Sequence, residues 1–513
     1  SRGYGANPAY RDLAHSARPV RAWRVLRRQS MVASDLLSEI RTQLFIDGET
    51  HGAGDALQVI DPADNETVVG YAAAASAEQA TSAVTAAHRA FPAWAARTPR
   101  ERGELLLAAL APLEADRPAT SEVLTRENGK IRMESFIDSI VFAHRFNLAV
   151  GLAGEVEHVT HLPAPPYRTE VSYLPLGVVT IIVPFNWPLA ILAASLPQAL
   201  LAGNTVVVKP PPTAPLATVR TVQLVAQSLP PGVLNVVTGA DAEIGAALIQ
   251  DDRVKKVCFT GSPGGGKRIM SMAAGSLTRV ALELGGNDPA IVLADADLGA
   301  EAMQRMFGGT FDSTGQICMA TKRLYVHRSR YDEVVEGLSA ILATTRLGHG
   351  LAEGVTMGPL HSGRQLAYVK ELVAEARASG AEVREFGEGG DERGNFLRPS
   401  LVLDPADNAR VVVEEQFGPT LPILPFDDED DAVARANDTW SGLCSSVWTT
   451  DLQRAAAVAA QLRTGYTFVN AHGAAHLDER APFGGFNHSG MGREMGIEGI
   501  REFMDTHAVG FPA

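Results

Sequence analysis

From Gly177 onwards the chain alternates short apolar runs with helix-length stretches. Continuous Val/Ile-rich runs of this kind are typical of strands in a parallel sheet that helices cover on both faces. The predicted strands are 178–183, 205–208, 233–237, 254–259 and 280–284, and the predicted helices are 189–202, 214–228, 241–250 and 264–274. Ligands of such sheets bind beyond the carboxyl ends of the strands, so the pattern predicts a nucleotide-binding architecture.

The alternation repeats after Gly286, which predicts a second α/β domain. Its predicted strands are 290–294, 323–327, 421–426, 444–449 and 466–470, with a strand pair around 382–403. Its predicted helices are 297–312, 330–344, 361–378, 427–436 and 451–462. Before the first parallel run, residues 41–75 favour short strands, and Ser76–Trp94 and Pro99–Asn128 favour helices.

One uncharged stretch has the length of a membrane span. No Asp, Glu, Lys or Arg occurs between Glu170 and Lys209, and about 20 apolar residues suffice to cross a bilayer. Prolines and glycines interrupt the stretch throughout, which a lipid-facing helix tolerates poorly. We therefore expect a buried strand, a loop and a packed helix here, and no membrane partner.

Composition narrows the class of protein. A chain of 513 residues is too long for one core, so two or three domains are expected. The net charge of −14 argues against a nucleic-acid partner, whose phosphate backbone needs a basic face. The cysteines Cys258, Cys318 and Cys444 are too few and too scattered for a disulfide framework or a zinc site. We therefore expect a cytoplasmic protein without a metal.

The N-terminal residues 1–30 are rich in arginine and contain a single acid, Asp12. Transit peptides have this composition, but no apolar signal-peptide core follows the arginines. We favour Met31 as the native start over a transit peptide. Residues 1–39 are expected to form an extension that is non-native or disordered.

Cys318 differs from the other cysteines because a glycine turn precedes it, in Gly315-Gln-Ile-Cys318. A turn exposes a side chain, and a glycine lets another group approach the backbone. A thiolate is also a strong nucleophile. Cys258 and Cys444 lie inside apolar runs and are predicted to be core residues. Cys318 is therefore the candidate nucleophile.

Two other polar residues stand in apolar surroundings. Glu283 ends a predicted strand, where a buried carboxylate needs a partner, a raised pKa or a catalytic task. Pairing with a buried amide or an arginine is the commoner reason, but Gly285 and Gly286 indicate that a ligand comes close to the backbone. Asn186 follows another strand, where it either forms a turn or donates to a developing oxyanion.

A glycine-rich loop joins strand 254–259 to a helix, in Gly261-Ser262-Pro-Gly-Gly-Gly266. Glycines at a helix N-terminus expose backbone N–H groups that can hold a pyrophosphate. Many loops have a similar sequence. This one indicates a dinucleotide site only because it follows a strand of the predicted parallel sheet. Lys209 ends another strand and is a second candidate for contact with a dinucleotide.

Together these residues resemble a known family. The motifs PFNWPL, AGNTVVVKP, FTGS(x)3G, LELGG, GQ(x)C, EE(x)FGP and PFGG(x)3SG occur in that order across residues 184–490. In this order they resemble the aldehyde dehydrogenase superfamily, and most closely its generic bacterial members that do not acylate coenzyme A. The resemblance implies two α/β domains with parallel sheets, a Rossmann-like cofactor domain and a catalytic domain, and a small β flap for oligomerisation.

The resemblance assigns a role to each candidate residue. Cys318 matches the nucleophile, Glu283 the general base, and Asn186 the oxyanion donor alongside the backbone N–H of Cys318. The implied contacts with the dinucleotide are made by Val183, Pro184, Phe185, Lys209, Gly239, Gly261, Ser262, Gly266, Leu284, Gly285, Glu415 and Phe417. The implied aldehyde tunnel contains Trp187, His472 and Phe483.

The implied reaction is oxidation of a small-molecule aldehyde to the carboxylic acid, with hydride transfer to NAD(P)+. Cys318 attacks the aldehyde, the thiohemiacetal releases hydride to leave a thioester, and Glu283 assists its hydrolysis. Two alternatives stay open, namely acyl transfer to coenzyme A and a catalytically idle structural or binding relative. Acylating relatives usually lack the equivalent of Glu283, and an idle relative does not need an intact Cys–Glu–Asn set.

The sequence departs from the family at the cofactor. Many NAD-preferring relatives have a glutamate three residues after the lysine, where it binds the adenosine ribose, and this chain has Pro212. Proline offers neither a carboxylate nor an N–H, which opens the site to NADP. We expect a preference for NAD because no Arg or Lys occurs in 210–215. Asn487 also stands where the family often has a lysine.

The resemblance also predicts domain boundaries. Residues 40–152 and 175–284 are expected to bind the dinucleotide, residues 285–487 to form the catalytic domain, and residues 153–174 and 488–513 to form the flap. Relatives pair through the catalytic domain and the flap, so a homodimer or homotetramer is expected.

Overall fold

The computed structural model describes residues 39–162 and 167–512. The predicted extension, 1–39, lies outside the described residues except for Glu39. The described part contains two large sheets with parallel cores and three small sheets. The expected α/β class with mostly parallel sheets is confirmed. No helix of these residues is long and apolar enough to cross a membrane.

The strands follow the predicted apolar runs closely. In chain order the described strands are β1 Ile40–Thr42, β2 Leu44–Ile46, β3 Glu49–His51, β4 Asp55–Ile60, β5 Val68–Ala74, β6 Thr160–Leu162, β7 Tyr167–Pro175, β8 Val178–Ile182, β9 Thr205–Lys209, β10 Leu234–Val236, β11 Val254–Thr260, β12 Arg279–Glu283, β13 Asp288–Val292, β14 Thr321–His327, β15 Arg346–Leu347, β16 Glu382–Glu385, β17 Glu388–Gly389, β18 Ser400–Leu403, β19 Thr420–Phe426, β20 Cys444–Trp448, β21 Tyr466–Val469, β22 Gly490–Met491 and β23 Met504–Pro512. Every residue of β9 and β13 is buried. Burial on both faces explains why these strands appear as continuous apolar runs.

The helices follow the helix-length stretches, with one division. In chain order the described α-helices are α1 Ala77–Ala95, α2 Pro99–Ala108, α3 Leu110–Asn128, α4 Arg132–Gly151, α5 Ala153–Val156, α6 Pro188–Ala202, α7 Leu216–Ala226, α8 Asp241–Ile249, α9 Pro263–Ala273, α10 Ala300–Phe311, α11 Tyr331–Leu342, α12 Gly363–Ala378, α13 Arg410–Val413, α14 Glu429–Asn437, α15 Leu452–Ala459 and α16 Gly496–Arg501. The predicted helix Pro99–Asn128 divides at Ala109. Pro112 has no N–H to donate to the carbonyl of Ala108, so the first helix ends there.

The first large sheet has the strand order β22-β12-β11-β8-β9-β10-β2-β3. The strands from β12 to β10 pair in parallel, and antiparallel strands complete both edges. Helix α6 packs on this sheet and is buried at every position except Ile191. Each fully buried leucine of α6, such as Leu196 and Leu200, contributes about 1.5–3 kcal/mol by removal from water.

The second large sheet has the strand order β16-β18-β19-β14-β13-β20-β21. All neighbours pair in parallel except β16 and β18. Buried residues from α10 and α11 pack on one face, among them Met303 and Leu338. Residues from α12, α14 and α15 pack on the other, among them Leu372 and Val433. A sheet with helices on both faces is the arrangement predicted from the strand–helix alternation after Gly286.

The C-terminal tail has two parts. Strand β23 pairs with β7, which pairs with β6, in a separate antiparallel sheet. Residues 490–503, which we expected in the flap, pack against the first domain instead. Strand β22 pairs with β12, and Ile500 and Phe503 are buried in the first domain's core. Their apolar side chains account for this placement, because burial there removes them from water.

Candidate active site

Four neighbouring strands bring the candidate residues of the first domain to one edge. Strands β12, β11, β8 and β9 lie side by side and pair in parallel, so their carboxyl ends share that edge. Glu283 and Lys209 end β12 and β9. The loops with Gly261 and Asn186 follow β11 and β8. The edge is where ligands of open parallel sheets bind.

Cys318 lies at this edge, but it belongs to the part of the sequence that forms the second large sheet. It follows a tight segment in which Ser313 and Thr314 have φ values of 53° and 59°, a backbone conformation that non-glycine residues rarely adopt. The side chain is partly accessible and packs against an apolar cluster that includes Phe483 and that Trp187 also contacts. Strain held in place by surrounding structure is typical of functional sites.

The Cys318 thiol is neutral in this arrangement. Burial raises its pKa to about 12, and the carboxylates of Glu415, Asp288 and Glu283 add to the rise. Each of these three groups therefore lies close enough to oppose a negative charge on the sulfur. The thiol needs a positive neighbour or a proton acceptor before it can attack.

Asn186 is held beside the segment that carries Cys318. Its Nδ2 donates to the carbonyl oxygen of Gln316 at 3.0 Å, and the side chain is buried. The preceding residue is fixed as well, since Asn128 Nδ2 donates to the carbonyl of Phe185 at 2.6 Å. An amide fixed in this way can donate its other hydrogen without reorganisation, which is what stabilisation of an oxyanion requires.

Glu283 is a buried carboxyl without a tight partner. Its side chain is largely buried, and no hydrogen-bond partner for its Oε2 occurs among the described residues. Burial raises the pKa of Glu283 well above its usual value, and the nearby Glu494 raises it further, whereas Arg493 lowers it. A carboxyl whose pKa is raised by burial, at a sheet edge beside a thiol, is a candidate for proton transfer.

The loop after β11 presents backbone rather than side chains. Ser262 caps α9 by accepting from the N–H of Gly265 at 3.1 Å. The first turn of α9 contains Pro263, Gly264 and Gly265, so only small residues stand between the helix N-terminus and a ligand. The partial positive charge of such a terminus favours phosphate. The residues present therefore fit a dinucleotide.

Glu415 and Phe417 approach the same edge from the second domain. Glu415 Oε1 accepts from the N–H of Gly286 at 3.2 Å. A Cβ on Gly285 would overlap the Glu415 carboxylate, so a larger residue at this position would have to displace that side chain. Burial raises the pKa of Glu415, and Lys322 lowers it. The ring centres of Phe417 and Phe185 are 6.1 Å apart, and the cofactor candidates of the two domains therefore face each other.

The remaining cofactor candidates lie at the same strand ends. The N–H of Val183 donates to the carbonyl of Lys209 at 3.2 Å, and the side chain of Leu284 packs against Gly266. Pro184 follows Val183 directly, and Gly239 lies between β10 and α8.

Two of the three tunnel candidates share an apolar cluster with Cys318. Trp187 and Phe483 belong to the apolar cluster that contains the thiol. His472 does not, because its side chain is fully buried, with Nδ1 2.9 Å from Ser446 Oγ and Nε2 3.8 Å from Asp288 Oδ2. A ring enclosed by these partners does not fit the wall of a tunnel. Its loop position alone suggested exposure.

Two buried lysines were missed by sequence reasoning. Lys322 Nζ donates to the carbonyl of Gly315 at 2.8 Å and lies 5.4 Å from the Phe417 ring centre. Lys130 Nζ pairs with Asp138 at 2.8 Å and lies 4.2 Å from the Trp187 ring centre. Lys322 stands between Thr321 and Arg323, just before the predicted strand 323–327, so its sequence neighbours gave no sign of burial. Lys130 follows a helix end, where a lysine is usually exposed.

No group of three or more His, Cys, Asp or Glu residues within 39–162 and 167–512 could hold a metal ion.

Comparison with known proteins gives a consistent result. The profile described as the aldehyde dehydrogenase family matches residues 49–509. The NADP(+) succinate-semialdehyde dehydrogenase of Escherichia coli is 35% identical over 91% of this chain and 96% of its own length.

Solved structures agree with the sequence comparison. An NADP-dependent enzyme of E. coli has a TM-score of 0.88 and 34% identity, over 92% of this chain and 98% of its own. The betaine aldehyde dehydrogenase of Staphylococcus aureus, in complex with NAD+, has a TM-score of 0.86 and 30% identity, over 92% of this chain and 95% of its own. The chain therefore belongs to the aldehyde dehydrogenase family and is an oxidoreductase that oxidises an aldehyde to the carboxylic acid with a nicotinamide dinucleotide.

Proposed function

We propose that Cys318 is the nucleophile of this oxidation, with Asn186 as oxyanion donor and Glu283 as general base. One observation carries the assignment. The Asn186 amide is bonded to Gln316, two residues from Cys318, while Glu283 Oε1 lies against Gly484, whose neighbour Phe483 belongs to the apolar cluster on which Cys318 packs. Nucleophile, donor and base therefore meet at one place, although they are far apart in the sequence.

The residues divide the reaction into two steps. The Cys318 thiol gives up its proton to water, its Sγ bonds to the aldehyde carbon, and the carbonyl oxygen becomes an oxyanion that receives hydrogen bonds from Asn186 Nδ2 and the Cys318 N–H. A bound NAD(P)+ supplies the acceptor for the hydride that leaves when the oxyanion collapses. The product of this step is a thioester on Cys318.

Glu283 acts in the second step. Its carboxylate takes a proton from water as the water attacks the thioester carbon, and the bond to sulfur breaks to release the acid and the thiol. Because burial raises its pKa, the Glu283 carboxylate is a stronger base than an ordinary carboxylate. A base in this position favours hydrolysis over acyl transfer to coenzyme A.

Two variants and one added compound test the assignment. We expect Cys318→Ala to abolish formation of reduced nicotinamide, whereas Cys258→Ala, which removes a core thiol outside the site, keeps most of the activity. Addition of coenzyme A should give the free acid and no acyl-coenzyme A. Undiminished turnover of Cys318→Ala contradicts the assigned nucleophile, and an acyl-coenzyme A product contradicts hydrolysis.

We also propose NAD as the preferred cofactor, because no Lys or Arg occurs in 210–215 to receive a 2′-phosphate. The E. coli relative is named for NADP and the S. aureus structure contains NAD+, so the family uses both. The ratio of kcat/KM for the two cofactors decides between them, and a strong preference for NADP contradicts the proposal. A panel of aliphatic, aromatic and carboxylate-bearing aldehydes identifies the substrate class.

The proposed assembly is a cytoplasmic homodimer or homotetramer. The three-stranded sheet of β6, β7 and β23 has β6 and β23 at its edges, and unpaired strand edges are available to a second copy. Cys258, Cys318 and Cys444 are free thiols, as in proteins of a reducing compartment. Sedimentation analysis of the full chain distinguishes dimer from tetramer.

A further inference from the structure

Lys209 is a buried cation with a carboxylate partner from another element. Its side chain is 3% exposed, and Nζ lies 2.5 Å from Oδ1 of Asp241. A buried ammonium is unfavourable unless it is paired. Pro212, where many relatives have the glutamate that binds the adenosine ribose, offers no carboxylate, and the carboxylate beside Lys209 comes from another element.

The fold explains why Asp241 can reach Lys209. Strands β9 and β10 are parallel neighbours, so their carboxyl ends lie side by side. Lys209 is the last residue of β9, and Asp241 is the first residue of α8, which follows β10. The Asp241 side chain is 79% exposed. One carboxylate oxygen therefore contacts the lysine while the rest of the group faces solvent on the cofactor side of the sheet.

We propose that Asp241 takes over the task of the missing glutamate and sets the preference for NAD over NADP. The assignment rests on the proposed function, because Lys209 lies near the adenosine ribose only if the dinucleotide binds at this end of the sheet. A carboxylate accepts hydrogen bonds from the ribose hydroxyls of NAD. The same group repels the 2′-phosphate of NADP, and it also occupies the cation that would otherwise attract that phosphate.

The charge of one side chain is the feature to change. Asp241→Asn keeps the shape of the side chain, removes the negative charge and frees Lys209. Glu243→Gln is the matched control, because Glu243 is exposed in the same first turn of α8 and its change removes the same charge from the same helix terminus. Asp241→Glu retains the carboxylate and should retain the preference for NAD.

The measurement is binding of NAD+ and NADP+ to the purified full chain by isothermal titration, together with kcat/KM for each. We expect the NADP-to-NAD ratio of affinities to rise at least about tenfold in Asp241→Asn, a change of about 1.4 kcal/mol, and less than about twofold in Glu243→Gln. If Asp241→Asn binds both nucleotides tightly and the NADP-to-NAD ratio of affinities is unchanged, Asp241 does not set the preference. This outcome leaves the proposed function intact.

Failure of the proposed function gives a different result. If the unaltered chain binds neither nucleotide, the cofactor site itself is misassigned, and the role of Asp241 falls with it. An equal rise of the ratio in Glu243→Gln also overturns the proposal, because it shows that only the general charge of the helix terminus matters. Restoring a carboxylate in the double variant Pro212→Glu/Asp241→Asn should return the preference towards NAD.

Discussion

Removal of the Asn186 amide is the most direct test of how the site stabilises negative charge. Asn186→Ala leaves Cys318 and Glu283 in place but takes away one of the two proposed oxyanion donors. The amide is buried and already fixed by its bond to the Gln316 carbonyl at 3.0 Å. Donation from such a group costs no reorganisation and is worth about 3–4 kcal/mol in the transition state.

The expected consequence is a fall in kcat of about 10² to 10³-fold, with little change in the affinity for the cofactor. The Gln316 carbonyl also loses its donor, which costs about 1–3 kcal/mol of stability if the oxygen stays unpaired. Urea unfolding therefore accompanies the assay, so that a loss of fold is separated from a loss of rate.

Asn437→Ala provides the control for this experiment. Asn437 Nδ2 also donates to a main-chain carbonyl, that of Gln461, at 2.9 Å, but the residue lies outside the candidate site. We expect this variant to keep its full kcat. If folded Asn186→Ala turns over within about threefold of the unaltered chain, the several kcal/mol assigned to the donor is wrong.

The other predictions concern the base, the cofactor contact and the tail. Glu283→Gln should give one rapid equivalent of reduced nicotinamide in stopped flow, then a steady rate lowered about 10² to 10⁴-fold. Since burial raises the pKa of Glu283, the steady rate of the unaltered chain should fall as pH drops through that pKa, and Glu283→Gln should lack this dependence. Gly285→Ala should displace Glu415 and raise the KM for the cofactor about tenfold, whereas Gly275→Ala, with open space around it, should not. Ile500→Ala should lower the free energy of urea unfolding by about 2–5 kcal/mol, because Ile500 is fully buried.

The parallel sheets could be predicted because burial on both faces makes a strand uniformly apolar. The run 205–208 became β9, whose every residue is buried. A helix boundary that depends on one missing main-chain hydrogen bond was harder to predict. The end of α2 is set by Pro112, and the pattern of apolar residues on either side of it continues. The helix α4 escaped prediction because its buried face includes Asp138 and Arg145 among its apolar residues.

Within the site, the sequence singles out candidate residues that stand next to a motif, but not residues whose role depends on partners from other segments. Cys318 is marked as a candidate by the glycine turn before it, and Glu283 by the apolar strand that it ends. In the sequence Asp241 is an ordinary acidic residue in the first turn of a helix. Only its contact with Lys209 in the structure indicates a role. His472 misled for the opposite reason, since its partners Ser446 and Asp288 lie in other segments of the chain.

The pairing of β22 with β12 makes the proposed base dependent on a segment that lies far along the sequence from it. Gly490 lies opposite Glu283 with a φ of 147°, a backbone shape suited to glycine, and a Cβ there would overlap the Leu282 carbonyl. During synthesis the strand that carries Glu283 emerges long before this partner does. A nascent or prematurely terminated chain therefore exposes the edge of β12 and carries an unsupported carboxylate. The proposed hydrolysis therefore requires a chain that extends at least to β22.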